Sequence, residues 1–255
     1  MNIRYLSLGL ATLLGITSKG IFIPYRYAGS LSSPNARSQY KILDQIFKTN
    51  EENFSKTLSL IDDYFFDLSS IGPDSPPEPR WNQDWFCRLD AATAYAIVRT
   101  NQPRQIIEVG SGHSTRFLSR AVRDGNLNSK IVAIDPQPRA TLTGIKNIKF
   151  IQTPLQEIKL EIFKNLCCGD ILFIDSSHIL MPGSDVDILV NRVLPILPSG
   201  VYIHFHDIFL PNDYPQHWSW RGYNEQLVVA PLITSLAYKP IFSSYYIISQ
   251  MSDIF

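Results

Sequence analysis

The sequence predicts an α/β fold: a mostly parallel sheet wrapped by helices and finished by an antiparallel hairpin. Three observations predict it. Short apolar runs alternate with stretches of helical periodicity from about residue 85 onward. The first run stops at a glycine turn, Gly110-Ser111-Gly112, which opens a helix. The last two runs, 239–242 and 245–250, almost touch, and so short a connection joins only antiparallel neighbours.

The 255 residues suffice for one large domain or a domain with an appendage. A 45% hydrophobic, 18% charged composition supplies a sizeable core. Lys+Arg and Asp+Glu are both 23, so there is no basic excess of the kind nucleic acid requires. Cys87, Cys167 and Cys168 lack C-x-x-C spacing, which excludes a disulfide framework and a zinc site. A reducing compartment, the cytoplasm, suits them.

In chain order, the apolar run 5–16 has the length of a signal peptide but is too short to span a bilayer. No small-x-small cleavage site follows at 17–20, so the expected element is a short helix packed on the domain or lying against a membrane surface. Over 38–68, Leu43, Phe47, Phe54, Leu58, Ile61, Phe65 and Leu68 recur at helical spacing. This is a helix or helix pair, serving as a lid, a dimer-forming arm, or simple packing on the core. Gly72, Pro73, Pro76, Pro77 and Pro79 then break the chain. The break divides a helical extension, 1–79, from the main domain, 80–255. Trp81 and Trp85 suit either an acceptor-pocket wall or the core, and Asp84 suits a cap for a helix over 85–100.

Strands are predicted at 105–109, 131–134, 148–151, 171–174 and 201–205. Helices are predicted at 114–123, 139–145, 155–165, 185–193 and 224–237. Ser184 with Asp187 makes a capping-box-like start for the fourth of these.

In open α/β sheets ligands sit beyond the carboxyl ends of strands. Glycines 110 and 112 let a ligand approach the backbone, and the helix start offers unpaired N–H groups. Asp135, ending the second strand, stands where ribose hydroxyls need an acceptor. The same edge gathers His113, Asp175, His178, His206 and Asp207. A dinucleotide fingerprint would need a third glycine where Thr115 stands.

The segment Glu108-Val109-Gly110-Ser111-Gly112 instead resembles motif I of class I S-adenosylmethionine-dependent methyltransferases. Segments 173–178, 182–186, 204–211, 213–215 and 220–226 look like a bacterial group of the methyltransferase-24-like family, so the resemblance covers roughly 80–250. It implies a Rossmann-like, seven-stranded sheet and methyl transfer to the hydroxyl of a small acceptor. It implies S-adenosylmethionine held by Glu108, Gly110, Ser111, Gly112, His113, Asp135 and Asp175, with Asp175, His178, His206 and Asp207 facing the acceptor. Metal-dependent relatives carry carboxylates where Asp175 and Asp207 stand, and His206 replaces a further one. A divalent metal on Asp175, His206 and Asp207 would therefore favour iron, manganese or zinc over magnesium. A metal-free base, His178 or His206, is the other arrangement. Two further readings are a metal-dependent oxygenase on the same fold and a non-catalytic scaffold. Against the oxygenase, neighbours His206 and Asp207 face opposite sides of an extended strand unless the strand breaks there.

Overall fold

A computed structural model describes residues 3–17, 20, 23–32 and 37–252. Ser18 and Lys19, within the stretch read for a cleavage site, lie outside the described residues. Five parallel strands, β1 (Gln105–Val109), β2 (Lys130–Ile134), β3 (Ile148–Ile151), β4 (Ile171–Ile174) and β5 (Tyr202–Phe205), form one sheet in the order β3-β2-β1-β4-β5. This is a Rossmann-like, doubly wound sheet. The chain reverses its direction of travel between β1 and β4, which are hydrogen-bonded neighbours.

Alternation along the strands builds two cores. Ile106, Ile131, Ile171 and Phe173 face α5 (Arg88–Asn101) and α6 (His113–Asp124), burying Tyr95, Val98, Phe117 and Leu118. Ile107, Val132, Leu172 and Ile174 face the opposite side with Phe163, Leu189 and Val193. Both faces are covered, so the strands read as continuous apolar runs.

The extension contributes α1 (Ile3–Leu13), α2 (Lys41–Thr49), α3 (Glu51–Asp63) and α4 (Phe65–Ser69). The apolar stripe of α2 and α3 is spent on packing. Leu43, Phe47 and Phe54 form a third core with Leu210, Val229, Tyr246 and Ile247. Leu10 and Leu13 of α1 remain exposed. Among the described residues, no helix is long and apolar enough to cross a membrane.

Four expectations need correction. The antiparallel hairpin, and with it the seven-stranded sheet, is absent among the described residues. Residues 239–242 form no strand, and 245–250 lie within α9 (Ser244–Gln250). The Tyr-Tyr-Ile-Ile run has strand propensity, but Ser243 caps the helix by accepting the Tyr246 N–H. Tyr246, Ile247 and Met251 then share one face, at helical spacing, toward the third core.

The helix expected at 139–145 is instead a series of turns. Leu142 is its one buried apolar anchor among the described residues, and the Arg116 guanidinium donates to the Thr141 carbonyl at 3.0 and 3.1 Å. The helix at 155–165 breaks into two tight turns, Leu155–Glu157 and Leu160–Asn165, because Ile158 and Lys159 are extended. Finally, α5 begins at Arg88 rather than 85. Asp84 caps nothing here; Gln83 accepts the N–H groups of Trp85 and Phe86, both at 2.8 Å.

The Ser184 cap forms as expected: its hydroxyl accepts the Asp187 N–H and starts α7 (Asp185–Ile188), and the chain stays helical to Ile196. After it comes α8 (Gln226–Thr234).

Candidate active site

The carboxyl edge of the sheet is held firmly. Gly110, Asp135, Asp175 and His206 each donate a backbone N–H to the neighbouring strand, at 2.9–3.1 Å. The ladder thus continues one residue past β1, β2, β4 and β5, and fixes where these residues begin their turns. Gly110 has φ +82°, a left-handed conformation that suits glycine.

Glu108 is fully buried beneath this turn. Its two carboxyl oxygens accept the hydroxyls of Ser114 at 2.7 Å and Thr115 at 2.6 Å. Thr115 Oγ1 also accepts the Gly112 N–H at 2.9 Å. Thr115, at the place of the missing third glycine, therefore ties the turn to Glu108. Burial pushes the Glu108 carboxyl up to about 8, and the two hydroxyls offset this only in part. Asp135 accepts the N–H groups of Ser111 and Gln137, both at 2.6 Å. A carboxylate has about four acceptor positions, so it retains capacity for more.

A cavity of about 290 Å³ opens on this edge. Gly110, Ser111, Gly112, His113, Asp135, Asp175, His178 and Asp207 line it, with Trp85 and Arg139. Most of the predicted site residues therefore share one cavity. Glu108 does not reach it, and His206 stands behind Asp175. Of the two tryptophans, Trp85 is a cavity wall, while Trp81 packs on Phe117 at 5.1 Å. Three buried polar atoms of lining residues, Ser111 Oγ, His113 Nδ1 and Ser176 Oγ, have no partner among the described residues. Buried polar atoms are normally satisfied, so these fit a polar ligand.

At the far end Asp175, His178, His206 and Asp207 each offer a ligand atom within 4.8 Å of the others. Their gathering depends on a break in β5, which stops at Phe205. Asp207 has φ +55°, so it leaves the alternation of the strand and joins His206. The objection drawn from strand faces is thereby removed. His178 is also left-handed, with φ +60°, and its carbonyl accepts the N–H groups of Asn224 and Glu225 at 3.0 and 3.2 Å.

The two imidazoles are placed alike. The inner nitrogens face the aspartates: His178 Nε2 is 3.4 Å from Asp175 and 3.5 Å from Asp207, and His206 Nδ1 is 3.1 Å from Asp175. The outer nitrogens face other carboxylates. His178 Nδ1 donates to Glu225 at 2.8 Å, and His206 Nε2 lies 3.7 Å from Asp90. Burial opposes charge on His178, but Asp175 and Glu225 outweigh it and raise the ring to about 10. Burial likewise opposes charge on His206, and Asp175 and Asp90 raise it well above the usual range. Burial would lift Asp175, yet the two histidines hold it below the ordinary carboxylate range. Asp207 differs: burial dominates and raises it. The same cluster can thus hold protons or bind a cation.

Sequence reasoning missed Asp90 and Glu225. Glu225 lay inside the 220–226 segment and was legible only as part of a resemblance. Asp90, in the first turn of α5, carried no signal.

Residues 107–208 match the sequence model of a family described as a methyltransferase domain. The match spans 102 of the 255 residues, from within β1 to just past β5. No curated protein matches the chain. Among solved structures, it is similar to the SAH-bound methyltransferase PaMTH1 of Podospora anserina, at 17% identity, covering 87% of this chain and 91% of that one, with a TM-score of 0.42. A CmcI-N160 structure with SAH is 15% identical over 74% and 86% of the two chains, TM-score 0.40. The SAM-bound O-methyltransferase TomG of Streptomyces achromogenes, involved in tomaymycin synthesis, is 16% identical over 66% and 73%, TM-score 0.31. Likeness this remote decides nothing about chemistry, which rests on the residues of the chain itself.

Proposed function

We propose that this chain is a methyltransferase that uses S-adenosylmethionine to methylate a hydroxyl of a small acceptor. The observation that carries the reading is one continuous cavity with the glycine turn and Asp135 at one end and the Asp175–His178–Asp207 group at the other. Its unpartnered Ser111, His113 and Ser176 atoms support a polar cofactor there. The cofactor, when bound, supplies an electrophilic methyl group. Residues 80–255 make up the catalytic domain, braced by the helical extension 1–79.

The free acceptor positions of Asp135 suit ribose hydroxyls. Gly110 lets the turn pack against Asp175, and Glu108 holds the turn from below. Trp85 walls the same cavity, with the Arg139 guanidinium over its ring at 4.2 Å. The reaction then needs alignment and the removal of one proton, which the Asp207 carboxylate, raised by burial, can accept. The donor set fits a divalent ion as well: two imidazole nitrogens and two carboxylate oxygens, each imidazole backed by another carboxylate. Asp175, His178, His206 and Asp207 would hold it, and it would lower the pKa of the acceptor hydroxyl. This mixed set favours iron, manganese or zinc. It also supports the oxygenase as a second reading, since two histidines and a carboxylate suit non-haem iron.

Calorimetry with S-adenosylhomocysteine, alongside elemental analysis of the purified protein, tests these readings. Micromolar binding is expected. Absence of binding together with retained iron would favour the oxygenase, and absence of both would leave a scaffold.

A further inference from the structure

We propose that Glu225 and Asp90 are positioning residues that orient His178 and His206 as ligands for a divalent ion. The inference rests on the metal-binding form of the reading above.

Each imidazole has two nitrogens, and a ligand needs its lone pair on the inner one. A carboxylate can only accept, so Glu225 fixes the proton on His178 Nδ1 and leaves Nε2 toward Asp175 and Asp207. Glu225 also donates its own N–H to the His178 carbonyl, so one residue pins both ring and backbone. Asp90 approaches His206 from the opposite side. It accepts the Ser244 hydroxyl on one oxygen and faces His206 Nε2 with the other. That leaves His206 Nδ1 toward Asp175.

Folding alone does not explain Glu225. Glu225 has no exposed surface, and its Oε1 has no partner among the described residues. Burying a carboxylate costs several kcal/mol unless it is well paired. Such a cost is understandable where a ring must be held in one orientation. Carboxylates behind metal-bound histidines do this, and removing one typically weakens metal binding about 10–100-fold.

The test is Mn²⁺ binding, followed by electron paramagnetic resonance, on the full chain and on Glu225→Ala, Glu225→Gln and Asp90→Ala. S-adenosylhomocysteine affinity is measured on each. We expect Mn²⁺ to bind the wild type and to bind Glu225→Ala and Asp90→Ala about 10–100-fold more weakly. Glu225→Gln keeps an acceptor for Nδ1–H and should recover most of the loss. Nucleotide affinity should stay within about twofold throughout. Equal Mn²⁺ affinity in all four proteins, or none in the wild type, would overturn the proposal. If Glu225→Ala does not fold, the Asp90→Ala comparison decides. Failure of the wild type to bind S-adenosylhomocysteine would overturn the methyltransferase reading separately, since the Mn²⁺ series is read without it.

Discussion

The backbone of Gly110 rests against the carbonyl of Asp175: a β-carbon at Gly110 would stand 1.7 Å from that oxygen. The first turn of the cofactor end and the first residue of the acceptor end are therefore one packed unit. Gly110→Ala must push them apart and also adopt a left-handed conformation. The conformation alone costs about 1–3 kcal/mol. Melting temperature should fall by roughly 2–4 °C for each kcal/mol lost, and nucleotide binding should fall with it. Unchanged melting and unchanged binding would refute the packing.

Asp135 carries the next prediction. If its carboxylate takes the ribose hydroxyls, each hydrogen bond lost costs about 1.5–3 kcal/mol. Asp135→Ala should weaken calorimetric affinity for S-adenosylhomocysteine at least tenfold. The same affinity in both proteins would sink the ribose assignment.

Glu108 predicts a pH dependence of stability. Its carboxyl is raised by burial to about 8 in the fold, against an ordinary value of 4.5. Between these values the folded chain keeps a proton that the unfolded chain has released. Its contribution is complete below pH 4.5 and is lost as the pH rises to about 8, at up to roughly 1.4 kcal/mol per pH unit. Glu108→Gln keeps the two hydroxyl contacts without a titrating proton. Denaturant unfolding at pH 5, 6.5 and 8 should show the variant losing less stability than the wild type. Parallel losses would show that Glu108 is ionised throughout.

The cluster itself should matter to turnover rather than to nucleotide affinity. His178→Ala and His206→Ala, made separately, should leave S-adenosylhomocysteine binding intact. At least one should lower turnover by about 10²–10⁴-fold on an identified acceptor. Activity abolished by chelator and restored by one divalent ion would assign Asp175 and Asp207 as ligands. Full turnover in both variants, untouched by chelator, would make the cluster structural.

Much of this was legible beforehand, and for physical reasons. Strands buried on both faces are apolar throughout, so Ile106-Ile107 and Ile171-Leu172-Phe173-Ile174 announce themselves. Asp135, Asp175 and His206 are readable because strand ends are where ligands sit. Three features were not readable. Tyr245 to Ile248 have strand propensity, and the Ser243 cap with the packing of Tyr246 and Ile247 in the core of Phe47 and Phe54 makes them helical. The turn at Asp207, which aligns it with His206, is a single backbone angle without a sequence signature. Asp90 and Glu225 are distant in sequence from the rings they face, so only the folded chain joins them.

The exchange of a hairpin for α9 has a practical side. Ser244, in its first turn, hands a hydroxyl to Asp90 directly behind His206. One hydrogen bond thus ties α9 to the back of the Asp175–His178–His206–Asp207 group. The same wiring makes α9 a place to listen from. Ile248 is 59% exposed on that helix, and a fluorophore there would stand outside the cavity; a change in its emission on adding S-adenosylhomocysteine would show that filling the cavity reaches α9.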